Sequence, residues 1–150
     1  MSELVGLLQQ EQVFGCLTED QRADLARRAT RRQFDKDEVV CRQGDLWPYV
    51  MYIATGGLRT IMSAPDGRNF VGWTWEPSEV FWAPTVFDEE SVPATLEAVV
   101  PTGVYLWKGA DALRIVLHNE DAVRALLRRQ TLIIRQRRQG IYNLAFSTLA

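Results

Sequence analysis

The C-terminal part of the chain carries the pattern that most limits its fold, a long helix-period segment from Asp121 to Leu144. Seven positions in it recur at alternating steps of three and four residues: Val123, Leu127, Gln130, Ile134, Arg137, Ile141 and Leu144. This spacing is typical of a helix that pairs with another helix. We therefore predict a dimerisation helix with this stripe as its interface. Its polar members, Gln130 and Arg137, either set the register or indicate that the seam is rotated by one position.

A β-rich region precedes this helix. From Glu38 to Lys108, short runs of β-branched and aromatic residues alternate with turn residues such as Gly44-Asp45, Gly56-Gly57 and Asp66-Gly67. Runs at such close intervals favour an antiparallel barrel or jelly roll. Asp66-Gly67 predicts a hairpin with a type I′ turn, in which both central residues need a positive φ.

Shorter helical patterns flank the β-rich region. Thr18 to Gln21 form a capping-box pattern that predicts a helix from Glu19 to Ala29, and leucines near the N-terminus indicate a further helical turn. A third helix is predicted from Lys108 to His118. The expected fold class is α+β, with N-terminal helices, an antiparallel β-roll (a double-stranded jelly roll) and a long C-terminal helix.

Composition limits the setting and the partners. At 150 residues with 47% hydrophobic content, the chain supports one well-buried core. A net charge of -2 gives no global attraction to nucleic acid. Six arginines crowd the long helix, where a solvated face is favoured over nucleic-acid contact: Arg124, Arg128, Arg129, Arg135, Arg137 and Arg138. No secretion signal or membrane-spanning run is present, so we expect a cytoplasmic protein without membrane contact.

The sequence offers little for catalysis or metal binding. His118 is the single histidine, which is too few for a metal-dependent jelly-roll enzyme. Two cysteines, Cys16 and Cys41, are too few for an iron-sulfur cluster or a disulfide scaffold. They are predicted to be packing residues, and a redox pair is the alternative. We therefore expect no enzyme activity, no metal and no cofactor.

Three segments together resemble the sensor domain of the Crp/Fnr family of bacterial transcription regulators: Lys36 to Asp45, Met51 to Gly57 and Asp66 to Arg68. The resemblance covers roughly residues 14–150. It implies a cyclic-nucleotide-binding-type fold, a homodimer held by the long helix and a C-terminal helix-turn-helix. Ser147 to Ala150 are too few for the two helices of that DNA-binding unit. We expect a piece of a longer regulator, with a natural stand-alone sensor as the alternative.

In family members that bind cyclic nucleotides, a Phe-Gly-Glu and a following Arg-Ser/Thr-Ala grip the ribose and the cyclic phosphate. Here the corresponding positions read Phe81-Trp82-Ala83 and Val92-Pro93-Ala94. A buried anion needs a cation and several donors, so binding in the usual mode is not expected. An aromatic-rich effector pocket is predicted instead, lined by Trp73, Trp75, Phe81, Trp82, Ala83, Phe87, Val92, Pro93 and Thr95. Core packing by the same aromatic rings is the alternative.

These patterns predict a sensor domain over residues 1–118 and a dimerisation helix with the start of a hinge over residues 119–150. The predicted function is effector sensing and dimerisation in a Crp/Fnr-type regulator, with an apolar or aromatic small molecule as the effector. DNA would be contacted only through a domain that this chain lacks. The alternatives are a ligand-free dimerisation or protein-interaction module, and a divergent cyclic-nucleotide-binding protein.

Overall fold

The computed structural model describes residues 2–147 and contains two four-stranded antiparallel sheets flanked by helices. The helices are α1 (Ser2–Gln10), α2 (Glu19–Arg28), α3 (Thr85–Asp88), α4 (Gly109–Leu117) and α5 (Glu120–Ser147), with a 3-10 turn at Phe14–Cys16. The strands are β1 (Thr30–Phe34), β2 (Val39–Cys41), β3 (Tyr49–Thr55), β4 (Leu58–Ser63), β5 (Asn69–Trp75), β6 (Val80–Trp82), β7 (Thr95–Ala98) and β8 (Thr102–Lys108). The predicted β-roll with N-terminal helices and a long C-terminal helix is confirmed.

The strands are arranged so that two cores form. One sheet has the order β1-β8-β3-β6 and the other the order β2-β7-β4-β5. Strand β3 is buried on both faces, and its residues alternate between the cores. Met51 and Ile53 face the roll interior between the sheets, whereas Val50 and Tyr52 face the cluster beneath the helices. A strand covered on both sides is apolar along most of its length, and β3 is apolar up to its exposed last residue, Thr55.

Specific polar contacts connect the elements around the core beneath the helices, which we call the helical cluster. Thr18 and Gln21 form the predicted capping box at the start of α2. Trp107 is 1% exposed, and its indole Nε1–H donates to the Leu25 carbonyl oxygen at 2.7 Å. This bond satisfies the one polar atom of a large core side chain and ties β8 to α2.

The structure corrects the sequence prediction at three places. Strand β1 lies in a segment to which the sequence patterns assigned no helix or strand. The β4–β5 hairpin is present, but only Gly67 has a positive φ (86°), so the type I′ turn is wrong. Pro65 and Asp66 instead form a turn closed by the Gly67 N–H, which donates to the Ala64 carbonyl at 2.9 Å. Helix α5 continues to Ser147, three residues beyond the predicted end, and residues 148–150 lie outside the described residues.

Candidate effector site

The segment between β6 and β7 shapes the candidate site. Pro84 precedes the single turn of α3, which ends at Glu89 in a left-handed conformation (φ 60°). The Thr85 hydroxyl then donates to the Glu90 carbonyl at 2.6 Å. Val92 is held to the β2–β3 loop by two backbone bonds, from Val92 N–H to the Asp45 carbonyl at 2.7 Å and from Gly44 N–H to the Val92 carbonyl at 2.9 Å. These bonds fix the residues that line one wall of a cavity.

This cavity has a volume of about 230 Å³ and lies between the roll and helix α5. Its roll side is mainly apolar or aromatic and is lined by Cys41, Thr60, Met62, Gly72, Trp75, Phe81, Trp82, Pro84, Val92, Pro93, Ala94 and Leu96. Helix α5 contributes Arg129, Gln130, Ile133 and Arg137. The site therefore combines an apolar chamber with polar groups from one helix, as small-molecule pockets commonly do.

Five of the nine predicted pocket residues line this cavity: Trp75, Phe81, Trp82, Val92 and Pro93. Four do not: Trp73, Ala83, Phe87 and Thr95. Ala83 is fully buried in the roll interior. Phe87 is largely exposed and stacks on Trp82, with ring centroids 5.7 Å apart. The Thr95 hydroxyl accepts a hydrogen bond from the Gln43 N–H at 3.0 Å.

Trp75 and Phe81 form the aromatic part of the wall. Their rings meet edge to face with centroids 4.9 Å apart, and the centroid of the Trp47 ring lies 6.1 Å from that of Phe81. Both Trp75 and Phe81 are 6% exposed. Because the packing already fixes the rings, they form a rigid apolar part of the cavity wall.

Trp82 borders the cavity, but its ring belongs to the helical cluster. Strand alternation turns Phe81 into the roll and Trp82 to the opposite face. The Trp82 ring packs 5.9 Å from Phe14 and 5.7 Å from Phe87. Its indole Nε1 is buried without a hydrogen-bond partner in the described part of the chain. Trp82 therefore acts mainly as a contact between the site segment and the N-terminal helices.

The arginines of α5 were predicted as a solvated face, and two of them, the half-buried Arg129 and the exposed Arg137, also contact the roll. Arg129 Nη2 donates to the Val80 carbonyl, and Nη1 donates to Gln130 Oε1 at 3.1 Å. Burial lowers the pKa of the Arg129 guanidinium, while the nearby carboxylates of Glu11 and Glu79 oppose that shift. The Arg137 guanidinium lies over the Trp73 ring, 5.4 Å from its centroid.

Arg129 also faces a second, more polar crevice of about 470 Å³ between α1, β6 and α5. Glu11 lines this crevice, and its Oε1 accepts the N–H groups of Val13 and Phe14 at 2.8 and 2.9 Å. Burial raises the pKa of Glu11, and these backbone hydrogen bonds oppose the rise. Glu11 thus supports the turn after α1, and it lines the crevice but not the first cavity.

Cys41 is the one potentially reactive side chain of the described cavity wall. The thiol is 4% exposed, and burial raises its pKa to about 12. A protonated thiol is a poor nucleophile and a poor metal ligand, so Cys41 acts as apolar wall. Cys16 is exposed, and neither cysteine is in a disulfide.

The described residues bear on two other features, a metal centre and a membrane-spanning helix. Within residues 2–147, no three His, Cys, Asp or Glu side chains come together in a group suited to a metal ion. In the same part of the chain, every helix is too short or too polar to cross a membrane.

A family model described as the cyclic nucleotide-binding domain matches residues 31–119, more than half of the chain. The chain belongs to the cyclic nucleotide-binding domain family. The matched region contains all eight strands except the first residue of β1, and it includes the site segment. Among curated proteins, none matches this chain significantly in sequence.

Solved structures of regulators share this fold. The sensor domain of the transcriptional regulator DNR from Pseudomonas aeruginosa is 25% identical over 89% of this chain and 90% of that chain, with a TM-score of 0.79. The Thermus thermophilus catabolite activator protein is 22% identical over 95% of this chain and 63% of that chain, with a TM-score of 0.70. The predicted resemblance to Crp/Fnr-type regulators is confirmed.

The fold also occurs in eukaryotic regulatory proteins. The regulatory domain of Toxoplasma gondii PKA, in a co-crystal structure with cAMP, is 15% identical over 87% of this chain and 49% of that chain, with a TM-score of 0.76. At this identity the likeness concerns the fold alone.

Proposed function

We propose that the chain is the effector-sensing and dimerisation domain of a Crp/Fnr-type transcription regulator that works in the cytoplasm. The observation that carries this proposal is the cavity whose wall is shared by the roll and α5. A ligand in that position contacts both the sensor and the helix. It can therefore bias the position of α5 by binding one arrangement more tightly than another.

The composition of the wall argues against cyclic AMP or cyclic GMP in the family's usual mode. On the roll side, Val92 and Pro93 stand where a guanidinium and a hydroxyl would grip the cyclic phosphate, and Ala83 replaces the ribose-binding carboxylate. Desolvating a phosphate against such a wall is costly. An apolar or aromatic small molecule suits the rings of Trp75 and Phe81 better.

Dimerisation is proposed through the exposed stripe of α5. Leu127, Ile134 and Ile141 recur every seven residues and are 62%, 65% and 69% exposed, respectively. Aliphatic side chains at heptad spacing are stabilised when a second helix covers them.

The test is a fragment screen by protein-observed NMR, followed by titration calorimetry of hits, chlorinated phenols, cyclic AMP and cyclic GMP. Ala94→Trp fills the cavity, because Ala94 lies in its wall. The matched control, Ala110→Trp, places the same ring at an exposed position of α4. We expect aromatic fragments to bind the unmodified chain and the control, and to lose binding in Ala94→Trp.

Two results would change the proposal. Tight cyclic-nucleotide binding that Ala94→Trp abolishes would identify a divergent cyclic-nucleotide receptor. A dimer that binds no fragment would identify the ligand-free interaction module, with the rings acting only as core.

A further inference from the structure

The geometry of α5 points to an anionic effector, a small aromatic acid whose charged group is held by Arg137 with Gln130 beside it. This inference rests on the proposed sensing function and specifies its ligand class. Gln130, Ile133 and Arg137 line the cavity from one face of the helix, at steps of three and four residues. A cation and an amide therefore stand along one side of a chamber that is otherwise mainly apolar.

The roll would bind the apolar end of the ligand. Trp75, Phe81 and Leu96 are each almost fully buried and face the chamber. The chamber volume of about 230 Å³ lies below the ~300 Å³ at which drug-sized pockets begin. One or two fused aromatic rings match this space.

The charged end of the ligand is inferred from the surroundings of the Arg137 guanidinium. Among the residues that the structure describes, no carboxylate lies within ion-pair distance of its guanidinium. No described residue of the cavity wall is acidic. The Trp73 ring holds the guanidinium in place through its face, which leaves the N–H groups available to an oxyanion. A ligand carboxylate or phenolate would replace water around this exposed guanidinium and supply a counter-charge.

Arg129 has a different role in this scheme. Its N–H groups already donate to the Val80 carbonyl and to Gln130, and Glu11 and Glu79 lie near its charge. We therefore assign it as a positioning residue, which holds the Gln130 amide and anchors α5 to β6. Arg137 is the residue that would bind the charged end of the ligand.

Helix α5 would respond to the charge of the ligand through Arg137. Arg137 lies between Ile134 and Ile141 of the exposed stripe in sequence, and its side chain reaches back to the roll. A ligand anion that neutralises Arg137 from the cavity side would alter the balance between the contact of Arg137 with Trp73 and its hydration. Ligand charge would thus act on the same helix turns that carry the proposed dimer interface.

The experiment uses two pairs of probes with nearly the same shape, 1-naphthoate with 1-naphthamide and benzoate with benzamide. Titration calorimetry measures each affinity for the unmodified chain, Arg137→Gln, Arg137→Lys and Arg138→Gln. Arg138 is the matched control, since it is also exposed but lies outside the cavity wall. Sedimentation velocity of every variant shows whether a change in affinity comes with a change in oligomeric state.

We expect at least one acid to bind about tenfold more tightly than its amide, in keeping with one charge-assisted hydrogen bond. That preference should disappear in Arg137→Gln, persist in Arg138→Gln and return largely in Arg137→Lys.

Equal affinities for acid and amide would overturn the inference while leaving the sensing function intact. The same holds if the preference survives in Arg137→Gln, or if Arg138→Gln lowers it equally. Failure of both acids to bind at millimolar concentration would also overturn it. The unbiased fragment screen with Ala94→Trp then decides separately whether the cavity binds other ligands.

Discussion

At the scale of single residues, two glycines with the same backbone conformation differ in what surrounds them. Gly56 and Gly67 both have a φ of +86°. A Cβ on Gly67 would meet open space, whereas a Cβ on Gly56 would lie 2.5 Å from the Pro101 carbonyl oxygen and 2.7 Å from the Thr102 Cα. Gly56 therefore permits the close approach of two chain segments at a corner of the roll.

Alanine substitutions at Gly56 and Gly67 separate the cost of a left-handed backbone from the cost of a steric clash. Gly67→Ala should lower the free energy of unfolding by about 1–2 kcal/mol, the cost of a left-handed conformation. Gly56→Ala should cost at least ~2 kcal/mol more, because the backbone of residues 101–102 must move. Urea unfolding followed by tryptophan fluorescence measures both. Equal losses in the two variants would show that the corner is more plastic than the geometry indicates.

The sequence predicts such corners because glycines at turn positions interrupt the β-rich region, but it does not predict how the side chains of the site are distributed. Phe81 and Trp82 are adjacent and both aromatic, yet strand alternation sends the first into the roll and the second under the helices. A sequence pattern identifies an aromatic cluster. Only the pairing of β6 with β3 decides which ring faces the cavity.

At the scale of secondary-structure elements, strand β1 shows why part of the fold escaped prediction. Its sequence, Thr-Arg-Arg-Gln-Phe, lacks apolar alternation, and Phe34 is its only buried residue. It lies at a sheet edge, paired with β8 alone. Edge strands are often polar and charged, which protects them from pairing with other chains. The non-local pairing with β8, and no local signal, makes this segment a strand.

The α4–α5 junction depends on Asn119, which the sequence marks only as a helix break. Asn119 Oδ1 caps α5 by accepting the Ala122 N–H at 3.0 Å. Its Nδ2 donates to the Cys16 carbonyl at 3.1 Å and to Gln21 Oε1 at 3.0 Å. One side chain therefore starts the long helix and fixes its direction against the N-terminal helices.

Substitutions at Asn119 test this double role. Asn119→Ala should lower the free energy of unfolding by about 2 kcal/mol, since the cap and the two cross-links are lost together. Asn119→Ser keeps a capping oxygen but is too short for the cross-links, so it should recover about 1 kcal/mol of that loss. Asn143→Ala, at an exposed position of the same helix, is the control and should change stability by less than ~0.5 kcal/mol. If Asn119→Ser and Asn119→Ala unfold at the same urea concentration, the cap contributes nothing measurable.

At the scale of the whole molecule, helix α5 presents two faces. Ala122 and Leu126 are buried against the helical cluster, and Ile133 continues this face along the effector cavity. Leu127, Ile134 and Ile141 point away from their own protomer. The heptad pattern predicts the outer face, because exposed aliphatic spacing is visible in the sequence. The inner face could not be predicted, because its polar members, Arg129, Gln130 and Arg137, have the composition of a solvated surface. The stripe pattern placed Gln130 and Arg137 in the dimer interface, whereas both line the cavity of their own protomer.

The outer face of α5 is the proposed dimer interface, and a charge substituted there tests it. Ile134→Lys should weaken self-association by at least ~2 kcal/mol, about thirtyfold in dissociation constant, because a charge would have to be buried between two helices. Leu117→Lys is the matched control: Leu117 is 60% exposed, close to the 65% of Ile134, but it lies on α4 outside the stripe. Analytical ultracentrifugation over a concentration series should show a dimer for the unmodified chain and for Leu117→Lys, and a shift towards monomer for Ile134→Lys. A monomeric unmodified chain would remove the proposed interface. Equal dissociation in both lysine variants would indicate that the added charge acts without regard to the stripe.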